Sequence, residues 1–110
     1  MKEYTNKQGQ LHRTDGPAIE YEDGSKEWWV DGKRHREDGP ACEYDDGTKQ
    51  WYLNDKRHRE DGPACEWDDG TKYWYLNGER VYSDETNNLS QFPNLSELFK
   101  RSIIKYELAR

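Results

Sequence analysis

Histidines, cysteines and paired carboxylates are the residues of this chain that could do chemistry. The three histidines, His12, His35 and His58, recur every 23 residues. Metal ligands must converge within a few ångströms, and side chains one repeat apart do not converge within one chain. We therefore interpret each histidine as a connector residue whose ring packs against or bonds to a neighbouring turn. A pH-sensitive contact and a zinc site at a symmetric interface are the alternatives.

The two cysteines, Cys42 and Cys65, occupy the same position in consecutive repeats. If each repeat adds two strands to a sheet, the cysteines lie roughly 10 Å apart, which is beyond the reach of a disulfide. We predict two free thiols in a reducing compartment, each acting as a small buried residue. Cys42 and His35 could form a nucleophile–base pair, but the repeated copy at Cys65 favours packing.

Paired carboxylates occur at Glu37-Asp38, Asp45-Asp46, Glu60-Asp61 and Asp68-Asp69. Acid–base catalysis needs two carboxyl groups that flank a pocket in different environments, whereas these pairs fall at turns with lysine or arginine nearby. Turn formation and solubility account for them. The chain also lacks a glycine-rich phosphate loop, Gly-x-Ser-x-Gly and Cys-x-x-Cys. We predict no catalytic residue, no metal and no cofactor, and hence a protein that is not an enzyme.

An internal repeat positions all of these residues. The stretch Arg36–Asn54 returns almost letter for letter at Arg59–Asn77, and more loosely at Arg13–Asp31. A fixed period of this size is the signature of stacked repeats. We divide the chain into an array over residues 1–85 and a C-terminal part. The array has a partial repeat at 1–12 and full repeats at 13–35, 36–58 and 59–81, and it is followed by a linker at 86–93 and an amphipathic helix at 94–109.

Each repeat reads as a β-hairpin. Gly-Pro opens a strand, because proline has no N–H to give to a ladder. Asp-Gly, as at Asp46-Gly47, is a strong signal for a hairpin turn, and a second turn follows at Asn54-Asp55. The predicted fold class is mainly β: an elongated, twisted antiparallel sheet of stacked hairpins with one C-terminal α-helix.

A two-residue turn at Asp46-Gly47 would place Cys42 opposite Trp51. Because side chains alternate between the faces of a sheet, one face is then apolar and is expected to be the core side. It comprises Ile19, Tyr21, Trp28, Val30, Cys42, Tyr44, Trp51, Leu53, Cys65, Trp67, Trp74 and Leu76. The opposite face comprises Ala18, Glu20, Trp29, Ala41, Glu43, Tyr52, Ala64, Glu66 and Tyr75.

This second face carries the candidate partner-binding residues, one aromatic residue and one glutamate per repeat. They are Trp29, Tyr52, Tyr75, Glu20, Glu43 and Glu66. Aromatic residues on a polar surface are typical of interface hot spots, and the acidic columns suit a partner with lysine or arginine, helped by cation–π contacts. Ordinary cross-strand pairing between stacked hairpins is the alternative.

The C-terminal helix is predicted to begin at Asn94, a good N-cap, with Glu97 three residues later. Apolar residues follow at helical spacing, and they are Leu95, Leu98, Phe99, Ile103 and Tyr106. This stripe is expected to cap the open end of the sheet. Dimerisation or partner docking is the alternative, because Ile104 and Leu108 lie off the stripe and widen the apolar surface.

Composition bounds the class of protein. The chain has 110 residues, of which 31% are hydrophobic, 36% charged and 14% aromatic. The low hydrophobicity suggests disorder, but the aromatic residues recur at fixed places, so we expect one ordered, elongated domain. Residues 1–85 carry 21 acids and 13 bases, a net charge of −8, and residues 86–110 carry 2 acids and 4 bases, a net charge of +2. Such a body should not bind nucleic acid directly but suits a basic protein surface.

The run Trp51–His58, with Asp69-Gly70-Thr71-Lys72 later and a period of 23, resembles the MORN repeat over residues 4–82. Where that family has His-Gly-x-Gly, this chain has His-Arg-Glu-Asp-Gly-Pro-Ala. The unit His-Arg-x-Asp-Gly-Pro-Ala is also similar to one found in small phage-encoded proteins. The resemblance implies an elongated, twisted antiparallel sheet used for protein–protein contact, sometimes proposed for lipid contact, without catalytic residues.

Three functional hypotheses follow. The first is a small phage or bacterial accessory protein that binds and inhibits or scaffolds a host protein, such as a component of a defence system. The second is an acidic nucleic-acid mimic that blocks a nuclease, and the third is a self-assembling structural protein that dimerises through the C-terminal helix.

No apolar run is long enough to span a bilayer and no signal-peptide pattern is present. We therefore expect a cytoplasmic protein, in the host cytoplasm if it is phage-encoded.

Overall fold

Each 23-residue repeat folds into two short β-hairpins in the computed structural model, which describes all 110 residues. The strands are β1 (Lys2–Glu3), β2 (Ile19–Glu20), β3 (Lys26–Glu27), β4 (Trp29–Val30), β5 (Lys33–Arg34), β6 (Cys42–Glu43), β7 (Lys49–Gln50), β8 (Tyr52–Leu53), β9 (Lys56–Arg57), β10 (Cys65–Glu66), β11 (Lys72–Leu76), β12 (Glu79–Ser83) and β13 (Thr86–Asn87). A 3-10 helix spans Leu89–Gln91, and helix α1 spans Glu97–Leu108.

Nine of the strands form one open antiparallel sheet, in the order β1-β2-β3-β6-β7-β10-β11-β12-β13. Two further pairs, β4-β5 and β8-β9, form separate two-stranded hairpins beside it. The molecule measures 44 × 27 × 20 Å. The predicted architecture, an elongated antiparallel sheet of hairpins with one C-terminal helix, is confirmed. Helix α1 is too short and too polar to cross a bilayer.

The first turn of each repeat is one residue longer than predicted. Tyr44 N–H donates to the Thr48 carbonyl at 2.9 Å, and Gly47 N–H donates to the Tyr44 carbonyl at 3.0 Å. Gly47 has a φ of +95°, whereas the φ of Asp46 is not positive, so the loop is a type I turn followed by a left-handed glycine. As a result Cys42 lies opposite Gln50. The predicted pairing of Cys42 with Trp51 is wrong by one residue.

This shift exchanges the two faces of every return strand, because a slip of one residue turns each side chain over. One face of the main sheet, the cysteine face, carries in register Ile19, Glu27, Cys42, Gln50, Cys65 and Tyr73. The other, the glutamate face, carries Lys2, Glu20, Lys26, Glu43, Lys49, Glu66 and Lys72. The predicted face assignments of the return strands are therefore wrong. Residues Trp29, Tyr52 and Tyr75 belong with the cysteines, and Trp28, Trp51 and Trp74 with the glutamates.

The second turn of each repeat is the two-residue turn. Asp31 and Gly32 have φ angles of +48° and +80°, and Asn77 and Gly78 have +50° and +84°. Positive φ at both central residues defines the type I′ turn, which suits the twist of a hairpin. Val30 pairs with Lys33 across the first of these turns. The predicted positions of the second turns are confirmed.

Helix α1 begins three residues later than predicted. Its N-cap is Ser96, whose Oγ accepts from the Phe99 N–H at 3.1 Å. The same hydroxyl donates to the Glu60 carbonyl at 3.1 Å, which ties the start of the helix to the third repeat. Asn94 therefore caps nothing. The segment 86–93, predicted to be a linker, contains β13, which pairs with β12, and the 3-10 helix.

The largest core cluster lies where α1 covers the last repeat on the glutamate face. Trp74, Val81, Phe99 and Ile103 are all buried there. The Trp74 indole N–H donates to Ser102 Oγ at 2.8 Å. Within the predicted stripe, Leu95 and Tyr106 pack partly buried against this cluster, whereas Leu98 is 60% exposed. The helix thus closes the end of the array by burying the indole of the third repeat.

Replacing Phe99 with alanine tests this cap. Phe99 is 1% exposed, so we expect Phe99→Ala to lower the free energy of unfolding by about 3 kcal/mol, from lost burial and the cavity left behind. Denaturant unfolding measures the change. Leu108→Ala is the matched control, because Leu108 is 81% exposed and should change stability by less than ~0.5 kcal/mol. Equal, small effects from both variants would contradict the cap.

Candidate interaction surfaces

The predicted aromatic ladder is not an exposed surface. Tyr52 and Tyr75 are each only 9% exposed. The Arg34 guanidinium lies 4.7 Å from the Trp29 ring centre and 5.5 Å from that of Tyr52. Arg57 lies 5.6 Å from Tyr52 and 5.5 Å from Tyr75. Aromatic and guanidinium groups therefore alternate along the cysteine face, and the expectation of an open ladder is wrong.

The two arginines of this stack are held by the rings and not by carboxylates. Their Nε atoms are buried without a hydrogen-bond partner, and neither arginine is in a salt bridge. Cation–π attraction is strongest where water is excluded. The ladder is therefore cross-strand packing between stacked hairpins, which was the alternative interpretation of these aromatic residues.

The predicted glutamates lie on the opposite face and are already paired. Glu43 accepts from Arg36 Nη1 at 2.7 Å. Glu66 accepts from Arg59 Nη1 at 2.9 Å and lies 3.5 Å from Lys72 Nζ. Glu20 likewise lies 3.6 Å from an arginine of its own repeat. Since lysine alternates with glutamate along the register, the glutamate face is close to neutral. The structure does not bring the glutamates together with the aromatic ladder, which lies on the opposite face.

A recurring arginine contact, which we call the arginine clamp, links each repeat to the one before it. The Arg36 guanidinium stacks 3.8 Å above the Trp28 ring, donates to Asp38 at 3.0 Å and to the Pro40 carbonyl at 3.1 Å. A Cβ on Gly39 would lie 3.0 Å from its Cζ. Arg59 repeats every one of these contacts, and Arg13 repeats them with Tyr4 as the ring.

The histidines join successive second turns. His35 Nδ1 accepts from the Asn54 N–H at 3.0 Å, and His58 Nδ1 from the Asn77 N–H at 2.9 Å. His12 accepts in the same way from Asp31. This confirms the interpretation of each histidine as a connector that bonds to a neighbouring turn. No three His, Cys, Asp or Glu side chains lie close enough together to hold a metal ion.

The two thiols are free and buried. Burial raises the pKa of Cys42, and it raises that of Cys65 to about 11. A nucleophilic cysteine requires a lowered pKa and access to its substrate, and both thiols have the opposite properties. Their placement on a packed sheet agrees with the structural role predicted for them.

A row of exposed carboxylates runs along the side of the main sheet where the first turns lie. This acidic turn row consists of Glu22, Asp23, Asp45, Asp46, Asp68 and Asp69, all exposed. Of the six, only Glu22 has an ionic partner, the N-terminal amine at 3.5 Å. Consecutive turns are two strands apart, so the pairs repeat every ~9.5 Å.

The two carboxylates of each turn differ in their roles. Asp46 accepts from the Thr48 N–H at 2.8 Å, and Asp69 from the Thr71 N–H at 2.9 Å. These N–H groups lower the pKa of both residues, because they favour the charged form. Asp45 and Asp68 make no side-chain contact of this kind and face solvent. The sequence predicted that turn formation and solubility account for the acidic pairs. In the acidic turn row, turn formation applies to the second member of each pair, which accepts from a backbone N–H.

Comparison with known proteins found no matching family model, no matching curated protein and no matching solved structure. The resemblance to the MORN repeat stays a prediction.

Thiol labelling tests the buried cysteines. Because burial keeps Cys42 and Cys65 protonated and out of reach, we expect no reaction of the native protein with a disulfide reagent at pH 8, and two equivalents after unfolding in guanidinium. A Lys7→Cys variant provides an exposed thiol that should react at once. Fast labelling of either native thiol in the unmodified chain would show a reachable thiolate and contradict the assignment.

Proposed function

We propose that this protein is a non-enzymatic interaction module that binds a basic surface of another protein through the acidic turn row. The observation that carries the proposal is that the carboxylates of this row lack cationic partners within the chain. Most other carboxylates of the array are paired with arginine, lysine or histidine, as Glu43 and Glu66 are. Those without a salt bridge, Glu3, Glu27, Asp55, Glu79 and Glu85, are scattered along the chain and do not recur at one repeat position. Six exposed carboxylates on one edge, with one ionic contact among them, leave a strong negative potential available to a partner.

Half-buried aromatic residues add contact area beside the row. Each acidic pair is preceded by an aromatic residue, in turn Tyr21, Tyr44 and Trp67. Tyrosine and tryptophan are enriched at binding hot spots, because they supply apolar area together with a polar atom. A lysine or arginine of the partner would thus meet a carboxylate and an aromatic ring at every repeat.

The proposed partner is a host protein, and the consequence of binding is its inhibition or scaffolding. The likeness of the repeat unit to small phage-encoded proteins supports an accessory protein of a phage or bacterium, with a defence-system component as one such host protein. Exposed charges mainly accelerate association and set specificity, which suits a small acidic protein that must find one target among many.

The charge density of the row favours a protein partner over nucleic-acid mimicry. Two carboxylates per ~9.5 Å correspond to one charge per ~4.8 Å, whereas duplex DNA carries one charge per ~1.7 Å along its axis. The row therefore has about a third of the charge density of the duplex that a mimic would replace. Lysines alternate with glutamates on the adjoining face, which lowers the density further.

Neutralising the first member of each acidic pair tests the proposal. Glu22→Gln, Asp45→Asn and Asp68→Asn together remove three charges and leave the turn-capping aspartates in place. We expect the triple variant to fold normally and to lose at least ten-fold in affinity for the protein recovered with tagged wild type from a bacterial host lysate. Binding should also weaken as salt is raised.

A variant with Glu3→Gln, Glu79→Gln and Glu85→Gln is the matched control. It removes the same net charge at exposed positions outside the row, and it should bind as wild type does. Equal loss in both variants would attribute binding to net charge alone and overturn the role of the row. Recovery of no partner by wild type, or of a partner that the row variant still binds fully, would overturn the proposal as well.

A further inference from the structure

A step in the glutamate face lies beside helix α1. Its floor is formed by Trp51 and Leu53, both half-buried, and its side by Leu98 of the helix, which is 60% exposed. Trp51 and Leu53 occupy the repeat positions of Trp74 and Leu76, which α1 itself covers one repeat later. The Arg59 guanidinium stacks on the Trp51 ring at 3.9 Å, and Trp51 stays half-buried. The second repeat therefore presents, without a helix over it, the kind of surface on which the structure already shows a helix packing.

The rim of this step is acidic. The lining includes four carboxylates, those of Glu37, Asp38, Glu60 and Asp61. The aspartates are paired with the clamp arginines. The glutamates are 85% and 80% exposed and contact only a histidine, at 3.8 Å and 3.5 Å. A basic side chain of a molecule docked in the step could therefore pair with these two glutamates.

The outer side of α1 has the complementary character. Ile104 is 56% exposed and Leu108 is 81% exposed, and they lie one turn apart on the side of the helix that faces away from Trp74. Arg101 and Lys105 flank them, and both are exposed. The helix thus carries a second, basic and apolar face. Arg101 and Lys105 line a groove with Asp61 and Glu66 of the same chain, but those carboxylates are paired with Arg59, and neither Arg101 nor Lys105 forms a salt bridge.

We propose that this step is the docking site for helix α1 of a second copy of this chain, in a reciprocal two-fold dimer. The outer face of each helix rests on Trp51 and Leu53 of the other copy, with Arg101 and Lys105 near Glu37 and Glu60. Because step and helix lie side by side on one face, a two-fold axis between them satisfies both contacts at once. The two helices then lie side by side between two sheets.

Charge selects this arrangement over pairing of the two helices through their outer faces. Direct pairing would bring Arg101 and Lys105 of both copies into one interface, which is unfavourable for like charges. Docking in the step instead opposes the basic helix, in the segment of net charge +2, to the array of net charge −8.

This dimer is independent of the proposed function, because the acidic turn row lies along the edge of the sheet and stays open. It also differs from the dimerisation expected from sequence. The predicted stripe, which includes Phe99 and Ile103, is used within the chain to cover Trp74. On the helix, the interface is formed by Ile104 and Leu108, which lie off that stripe, while Leu98, the exposed member of the stripe, forms the side of the step.

Light scattering of the purified full-length chain across a range of concentrations tests the dimer. We expect a mass of twice 13.2 kDa, falling towards 13.2 kDa as salt is raised. Ile104→Glu with Leu108→Glu should give a monomer. Reversing the helix charges (Arg101→Glu, Lys105→Glu) or the rim charges (Glu37→Lys, Glu60→Lys) should each raise the dissociation constant at least ten-fold, and Lys7→Glu should leave it unchanged.

Combining both charge reversals in one chain gives the decisive result. Because the contacts are reciprocal, the quadruple variant restores the opposite charges and should recover the dimer. A monomeric wild type at every concentration would overturn the proposal. A dimer whose dissociation constant is unchanged by the rim substitutions would overturn it too, and so would a dimer that the combined reversal fails to restore. Both outcomes would place the contact elsewhere. Circular dichroism on every variant confirms that α1 remains folded.

Discussion

The arginine clamp is the interaction on which the rest of the array depends. In the first two full repeats each first hairpin is built from strands of two residues, and such hairpins are barely stable alone. The clamp joins a hairpin to its neighbour by stacking a guanidinium on the indole of the preceding repeat, while the same guanidinium holds the next connector through an aspartate and a carbonyl. Stability therefore resides between repeats, as expected for an array in which each unit contacts only its neighbours.

The end of the array shows what the clamp supplies. Counting 23 residues on from Arg59 reaches Tyr82, whose ring packs edge-on at 5.7 Å from Trp74. A tyrosine cannot provide the hydrogen bonds of a guanidinium. Helix α1 takes over the covering of Trp74, with an acceptor at Ser102 for the indole N–H. Trp51, by contrast, keeps the clamp arginine of the next repeat, Arg59, over its ring, and no helix of its own chain covers it.

The sequence was sufficient for the architecture but not for the faces. The period, the positions of both turns and the histidine contacts were predictable, because each rests on local chemistry repeated three times. The free thiols were predictable because two cysteines one repeat apart are too far from each other for a disulfide. The predicted assignment of residues to the two faces was wrong because the first turn is one residue longer than predicted. Asp-Gly is compatible with a two-residue or a three-residue loop, and both loops place the glycine at positive φ. The φ of Asp46, which is not positive, identifies the longer loop. That single choice moved Tyr52 and Tyr75 from a predicted surface into the core.

Other errors arose from contacts that a linear pattern does not contain. Asn94 and Ser96 are both good N-caps, and Ser96 is selected because its hydroxyl also reaches the Glu60 carbonyl. The acidic turn row depends on which carboxylates lack a partner, and pairing is decided by the arginines of the fold. A pattern of Arg-x-x-Gly at positions 13, 36 and 59 could have indicated the clamp, because glycine there leaves room for the guanidinium.

A double-mutant cycle between Arg59 and Gly62 measures the clamp most directly. A Cβ on Gly62 would lie 2.9 Å from Arg59 Cζ and meets no closer atom, so Gly62→Ala should cost about 1–2 kcal/mol of unfolding free energy in the wild-type chain, the range for an overpacked site. In the Arg59→Ala background it should cost nothing or stabilise slightly, since alanine restricts the unfolded chain. A coupling of at least ~1 kcal/mol is the predicted result. The same cost in both backgrounds would contradict the account.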